Sequence, residues 1–151
     1  MEYLYKISGR CPTKKNMLEI KIRGNPRSLT AALCAGQGMR ALFKYLQIWP
    51  NKKYRDWEHS AAAELWVQRI EAEYKKIECP VVAEFVFFLR KDLKKPDLSN
   101  LIQSCEDALV KSGSLADDGL IVEFGRSRRV FIDKGVEERV EIKLTETEVV
   151  K

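Results

Sequence analysis

Three aspartates stand where the predicted elements of this 151-residue chain begin or end. Asp97 follows the most apolar run, PVVAEFVFFL, and precedes an amphipathic segment, while Asp117 and Asp118 form a pair just before the stretch LIVEF. Carboxylates on loops at the ends of rigid elements are typical magnesium ligands, because one or two suffice when water and phosphate oxygens complete the octahedron. The acids therefore indicate a candidate site for metal-assisted phosphodiester hydrolysis.

Each acid also has a structural interpretation. Asp97 occupies the N-cap position of a predicted helix, and ADDG is a common turn sequence. Basic residues at the predicted loops favour the chemical interpretation, because a phosphodiester carries charge that cations neutralise. They are Lys14, Lys15, Lys52, Lys53, Arg90, Lys91, Lys94, Lys95, Arg126, Arg128 and Arg129. A formal net charge of +5 favours a polyanionic partner, although such a charge is also common in proteins that bind no nucleic acid.

Several other classes of protein are not expected. The four cysteines show neither a CxxC pair nor His partners at ligand spacing, so we predict neither a zinc site nor a disulfide framework. The only histidine, His59, lies in a predicted helix, which argues against serine- and papain-type triads. There is no P-loop or GxGxxG to indicate a nucleotide cofactor. Without a signal pattern or an apolar run of ~20 residues, we expect a soluble cytoplasmic protein with no membrane partner.

The first half of the chain predicts two strands and a long helix. EYLYKIS and LEIKIR alternate as half-buried strands do, with the basic turn GRCPTKKN between them. Residues 24–53 form an irregular excursion with a short helix around GMRALFKYL. The helix over 54–77 should turn its apolar residues to the core. These are Trp57, Ala61, Leu65, Trp66, Ile70 and Ile77.

The second half predicts a central strand, a shorter helix and three further strands. VVAEFVFFL is nearly continuous in β-favouring residues and should be covered on both faces. The helix that follows should begin after Asp97 and stop at Gly113. Its core positions are Leu98, Leu101, Ile102, Cys105, Ala108 and Leu109. LIVEF, RRVFI and VEERVEIKL come next, and the last two are expected to form a hairpin. The whole predicts one α+β domain over 1–151, with a mixed sheet packed by one long and one shorter helix.

The separation of the acids leaves two arrangements of the site open. A helix from Leu98 to Lys111 is about 21 Å long at ~1.5 Å per residue. The residues 112–118 can span about 23 to 25 Å when extended. Asp118 could therefore return beside Asp97, with LIVEF starting near the end of VVAEFVFFL. In the alternative, the site is completed across a dimer interface.

The segment KKPDLSNLIQSCEDALVKSGSLADDGLIVEF resembles the signature of the RusA family of Holliday junction resolvases, found in bacteria and their prophages. In that signature a Pro-Asp-Leu-Asp-Asn-Leu helix start is followed by an Asp-Ala-Leu segment and then by an Asp-Asp pair before a strand. GRCPTKKN is similar to the family's early proline-and-asparagine turn, and PNKKYRDWEHSA to the lead-in of its long helix. The resemblance covers most of the chain except the excursion from Gly24 to Trp49.

The resemblance implies a homodimeric, magnesium-dependent endonuclease that recognises four-way DNA junctions and makes paired nicks in recombination and repair. By position, Asp97 and Asp118 match metal-binding catalytic aspartates, and Asp117 is the other member of the acidic pair. Asn100 and Asp107 match motif positions with a supporting role. Mn²⁺ is expected to substitute for Mg²⁺. The residues expected to contact DNA are Lys14, Lys15, Asn16, Lys91, Lys94, Lys95, Arg126 and Arg128.

Two positions depart from the family pattern. Ser99 stands where the family has a second helix-start aspartate, and Gln103 where it usually has a lysine. A serine hydroxyl is a neutral and weaker ligand for a hard cation, and glutamine cannot neutralise a phosphate. We therefore carry three hypotheses: a junction-resolving endonuclease, a branched-DNA binding protein with weak or lost cleavage, and a basic α+β module that binds RNA or a protein.

Overall fold

The computed structural model describes residues 1–13, 18–22, 26–36 and 46–148. Within these ranges the fold is α+β, which confirms the predicted class. The strands are β1 (Glu2–Ser8), β2 (Leu18–Ile22), β3 (Leu46–Pro50), β4 (Val81–Arg90), β5 (Ile121–Phe124), β6 (Arg128–Ile132) and β7 (Arg139–Glu146). The helices are α1 (Pro26–Cys34), α2 (Lys52–Glu71) and α3 (Leu98–Lys111), with a short 3₁₀ turn at Asp118–Leu120.

The main sheet is mixed, as predicted, and β4 is at its centre. One edge of β4 pairs antiparallel with β7, which in turn pairs antiparallel with β1. The other edge pairs in parallel with β5 along its first half and with β6 along its second half. β2 and β3 form a separate antiparallel pair. The two short strands β5 and β6 thus form one interrupted edge beside β4.

The predicted hairpin between RRVFI and VEERVEIKL is wrong. β6 and β7 lie on opposite sides of β4, so the chain between them crosses the end of that strand. The crossing is fixed by hydrogen bonds from the Lys91 amide to the Ile132 carbonyl at 3.1 Å and from the Arg90 amide to Glu138 Oε1 at 2.9 Å. With β7 on one edge and β5 and β6 on the other, β4 has hydrogen-bonding partners on both edges along most of its length.

One face of the sheet carries the core. Alternate residues of β4 are buried, and the residues between them are partly exposed, so the prediction of a strand covered on both faces is wrong. The buried set packs against α2 and α3, which lie on the same side. It comprises Val81, Ala83, Phe85, Phe87 and Leu89. With both helices on one side, the period-2 strand geometry leaves Glu84 and Arg90 on the opposite face.

Helix α2 is shorter and less buried than its sequence predicts. It ends at Glu71, and Glu73 with φ of 54° breaks the chain direction before Ile77. Ala61 and Leu65 are buried as expected, and Trp57 packs partly against the core. Trp66 and Ile70, however, are 51% and 53% exposed, so their predicted core role is wrong. At about 100° per residue, both lie well round the helix from Leu65.

Helix α3 has the bounds and the buried face that the sequence predicts. Leu101, Cys105, Ala108 and Leu109 are fully buried, and Leu98 and Ile102 pack beside them. The helix stops at Gly113, whose φ of +71° is the left-handed conformation that glycine favours. The Ser114 amide then donates to the Leu109 carbonyl at 3.2 Å and satisfies the helix end. This geometry fixes where the chain turns back toward β5.

The excursion contains regular elements that the sequence did not predict. Helix α1 and strand β3 both fall within 24–53, while most of the predicted helix around GMRALFKYL lies outside the described residues. In the described part of the chain, no helix is both long enough and apolar enough to span a membrane.

Candidate active site in the groove beside helix α3

An open groove of about 690 Å³ separates the first two turns of α3 from the interrupted edge of the sheet. Its lining residues are Leu98, Ser99, Ile102 and Glu106 from α3, with Phe124, Gly125 and Ser127 from the edge. Phe124 pairs with the buried Ala83, so it points to the helix side of the sheet. The groove therefore lies on the face that carries α3, and it begins immediately after Asp97.

The edge is interrupted because the residues between β5 and β6 hydrogen-bond to β4 without forming a regular strand pair. The Gly125 amide donates to the Ala83 carbonyl at 2.9 Å, and the Phe85 amide donates to Ser127 Oγ at 3.1 Å. A Cβ atom on Gly125 would lie 2.7 Å from Cγ of Glu84, a contact that side chains do not tolerate without shifting. Glycine at this position thus allows the chain to approach β4 this closely at the interruption of the edge.

Asp97 is the N-cap of α3 by backbone geometry but not by side chain. Its φ of −66° and ψ of 140° are extended, and its carbonyl accepts the Leu101 amide at 3.2 Å. The carboxylate makes no capping hydrogen bond. Oδ2 lies 3.4 Å from the side-chain amide nitrogen of Asn100. The exposed carboxylate is therefore not engaged by the helix backbone and is accessible to a ligand.

The two members of the acidic pair, Asp117 and Asp118, have different structural surroundings. Oδ1 of Asp117 accepts the Gly119 amide at 2.8 Å and caps the short 3₁₀ turn, whereas Asp118 is exposed and faces the middle of α3. Ile121 pairs with Val81, so β5 begins beside the start of β4 and not, as one expectation required, beside its end. The chain after α3 pairs first with Ile77, just before β4, and then enters the edge strand beside the start of β4.

Glu106 is an acidic residue of the groove that sequence analysis missed. It is half-buried, and its pKa is raised first by burial and then by the negative charges of Asp118 and Asp107. The sequence did carry a signal, since Ser99, Ile102 and Glu106 follow the i, i+3, i+7 spacing of one helix face. At ~1.5 Å per residue, Glu106 lies about 10.5 Å along the helix from Ser99.

The donor types fit a hard cation, but their number is small. In the described part of the chain, no group of three or more His, Cys, Asp or Glu residues is close enough to hold a metal ion. Ser99 lines the groove where the family pattern has a carboxylate. Oxygen ligands such as Asp97 and Asp118 nevertheless suit Mg²⁺, which needs only one or two protein carboxylates beside water and phosphate oxygens.

The supporting positions have separate structural partners. Oδ2 of Asp107 accepts the hydroxyl of the fully buried Tyr54 at 3.0 Å, which joins α3 to α2. The acceptor Asp107 raises the pKa of Tyr54 further, after burial itself. Asn100 lies beside Asp97, and Gln103 is exposed on α3. Asp107 therefore ties the site-bearing helix to the rest of the core.

The predicted DNA-contacting residues do not all face the groove. Lys95 lies at its end, with Nζ 4.7 Å from the centroid of the Phe131 ring. Lys94 is exposed nearby, and its carbonyl accepts a hydrogen bond from Arg10. Lys91 forms an ion pair with Asp133.

The basic residues of the edge strand divide between the two faces. Arg128 pairs with Val86 and lines a hollow on the opposite face of the sheet, while Arg126 is exposed between the strands. Arg129 pairs with Phe87 on the helix face and donates to the Pro96 carbonyl at 2.9 Å. Lys14, Lys15 and Asn16 lie outside the described residues.

Comparison with known families agrees with these features. No curated protein is significantly similar to the chain in sequence. The family model described as Endodeoxyribonuclease RusA matches residues 35–145, which include α3, its preceding loop and the interrupted edge. The match covers well over half of the 151 residues. The chain therefore belongs to the RusA family of endodeoxyribonucleases.

Proposed function

We propose that this protein is a structure-selective DNA endonuclease that resolves Holliday junctions by Mg²⁺-dependent phosphodiester hydrolysis in recombination and repair. The main observation behind the proposal is the surroundings of the Asp97 carboxylate. Its carboxylate is exposed at the mouth of the groove, makes no capping bond, and lies next to cations of two separate segments. Such an arrangement suits a reaction in which the substrate brings the negative charge.

Asp97, Asp117 and Asp118 are the proposed catalytic acids. When bound, Mg²⁺ would polarise the phosphodiester and lower the pKa of an attacking water. Asp97 and Asp118 would hold it by carboxylate oxygens, while Asp117 fixes the turn that presents Asp118. Mn²⁺ should substitute, since it also prefers oxygen ligands.

The cations would position the DNA. Lys95 and Arg129 are at the groove end beside Asp97, and Lys94 and Arg126 are exposed on the loops around it. Contacts of this kind hold the phosphate backbone without reading sequence. Junction selectivity would then come from the shape of the DNA that can reach both ends of the groove.

A homodimer is part of the proposal, because paired nicks need two sites. Whether Asp97 and Asp118 act on one ion within a subunit or across two is resolved by mixing an Asp97 variant with an Asp118 variant. Restored cleavage in the mixture identifies a shared site.

A second candidate function is binding of branched DNA with weak or lost cleavage. Ser99 favours it, because a neutral hydroxyl lines the groove where the family pattern places a carboxylate. One negative charge fewer should weaken the affinity for a hard cation. Tight junction binding without Mg²⁺-dependent nicking is the expected result for this candidate.

The deciding experiment uses a synthetic four-way junction with Mg²⁺. The wild type, Asp118→Asn and the control Asp56→Asn, an exposed aspartate on α2, are compared for symmetrical nicks. Cleavage by the wild type and the control but not by Asp118→Asn supports the endonuclease. Equal cleavage by all three refutes the metal assignment, and cleavage by none refutes the activity.

A further inference from the structure

Phe131 is an exposed aromatic ring at the end of the groove. It is 44% exposed on the edge strand β6, where most of its neighbours in sequence are basic or partly buried. Its register partner is the buried Leu89, so the ring lies on the helix face of the sheet, the same face as Asp97. A single exposed Phe is ordinary on a protein surface and needs a further reason before it is given a function.

The further reason is that two cations are held against this ring from two separate segments. Lys95 Nζ lies 4.7 Å from the ring centroid, and Cζ of Arg129 lies 5.9 Å from it. Arg129 is also anchored by its 2.9 Å hydrogen bond to the Pro96 carbonyl, one residue before Asp97. Arg129 thus links the strand that carries the ring to the start of α3, and Lys95 lies against the same ring.

These two cations differ from the other basic residues nearby in their partners. Nearby Arg90, Lys91 and Arg10 form ion pairs with carboxylates. In the described part of the chain, Lys95 and Arg129 form no such pair, although each is within reach of the same ring. Two such cations beside a partly exposed aromatic ring match the two parts of a nucleotide, the phosphate and the base.

We propose that Phe131, with Lys95 and Arg129, forms a stacking platform for an unpaired DNA base at the branch point. In continuous duplex the faces of the bases are covered by their neighbours. Where strands exchange, a base can leave its stack and lie on an aromatic or guanidinium surface. The platform would therefore contribute to the preference for branched DNA while leaving the chemistry to the acids. This inference rests on the proposed function and adds which part of the DNA substrate the protein would contact, an unpaired base at the branch point.

The test distinguishes the effect of the aromatic ring from the effect of an apolar side chain of similar size. Phe131→Leu keeps an apolar side chain but removes the aromatic face, and Phe131→Trp keeps a stacking face. Trp66→Leu is the matched control, since Trp66 is an aromatic residue of similar exposure, 51% against 44% for Phe131, but lies on α2. Binding is measured by fluorescence anisotropy in EDTA, so that no cleavage occurs. The DNAs are a four-way junction with 2-aminopurine at the branch point, a duplex and a single strand of the same sequence.

The expected result is a loss of about tenfold in junction affinity for Phe131→Leu, together with loss of the rise in 2-aminopurine fluorescence that accompanies unstacking of the branch-point base in the wild-type complex. Single-strand binding should fall with it, duplex binding should change less than about twofold, and Phe131→Trp and Trp66→Leu should bind like the wild type. Equal losses on junction and duplex, or no loss at all, would overturn the platform. A dissociated dimer in Phe131→Leu, seen by light scattering, would overturn it in favour of a subunit contact.

The two proposals fail in different ways. A wild type that binds junction and duplex equally refutes junction resolution, yet the platform stands if single-strand binding still depends on the ring. A wild type that prefers junctions while Phe131→Leu keeps the whole preference refutes the platform and leaves the resolvase proposal intact.

Discussion

The guanidinium of Arg129 donates a 2.9 Å hydrogen bond to the carbonyl of Pro96, so the edge strand β6 holds the residue just before Asp97. Neither residue belongs to the acidic set, yet their contact determines where the first acid lies relative to the groove. The two residues are 33 positions apart in the sequence, and they meet only because β6 pairs with β4 rather than with β7.

Replacing Arg129 should weaken DNA binding without unfolding the protein. Arg129→Ala removes a phosphate-neutralising charge, so the slope of log affinity against log salt should decrease by about one. The salt dependence of junction binding measures this directly. Lys134→Ala is the control, because Lys134 is exposed in the turn after β6. Unchanged slopes in both variants would contradict a DNA contact at Arg129.

Asp97→Asn should remove cleavage with little effect on stability. The carboxylate makes no capping hydrogen bond, and asparagine is as good an N-cap as aspartate. The rate of junction cleavage should fall by at least about 100-fold, which corresponds to roughly 3 kcal/mol of transition-state stabilisation. Thermal unfolding should give a Tm close to that of the wild type.

Asn51, whose side chain does cap its helix, provides a comparison for Asp97. Oδ1 of Asn51 accepts the Tyr54 amide at 3.0 Å at the start of α2. Asn51→Ala should therefore lower the free energy of unfolding by about 1 kcal/mol and leave cleavage per folded molecule unchanged. If Asp97→Asn destabilised the protein as much as Asn51→Ala, the role assigned to Asp97 would be wrong.

Ser99→Asp should strengthen metal-dependent activity. The added carboxylate lines the same groove and supplies the negative charge that the family pattern has at this position. The Mg²⁺ concentration for half-maximal cleavage should fall by about tenfold, which corresponds to ~1.4 kcal/mol of added metal affinity. Ser99→Asn, similar in size but neutral, is the control. The same metal dependence in both variants would show that charge at residue 99 does not matter.

Tyr54→Phe should destabilise the fold through its contact with Asp107. The buried Tyr54 hydroxyl donates to that carboxylate at 3.0 Å, so its removal should cost about 1 to 3 kcal/mol of unfolding free energy. Urea denaturation measures the change. Tyr5→Phe is matched, because the Tyr5 hydroxyl is buried near Ser114 but makes no hydrogen bond of standard geometry within the described residues. A larger loss in Tyr5→Phe than in Tyr54→Phe would contradict this account.

The sequence by itself determined the local features of the site. The i, i+3, i+4 spacing of apolar residues predicted α3, and the position of Gly113 predicted its end, because both depend on contacts only a few residues apart. The same local logic placed Asp97 at the helix start. The multi-part motif around it indicated the family that the comparison then confirmed.

The tertiary structure alone decided which side chains share the groove. RRVFI and VEERVEIKL look like a hairpin, but pairing with β4 separates them and places Arg129 and Phe131 beside Pro96 and Lys95. Glu106 gained its groove position and raised pKa from α3 packing against the edge and from the charge of Asp118. Strand partners are chosen by competition among distant segments for a buried backbone, and no local pattern records the outcome of that competition.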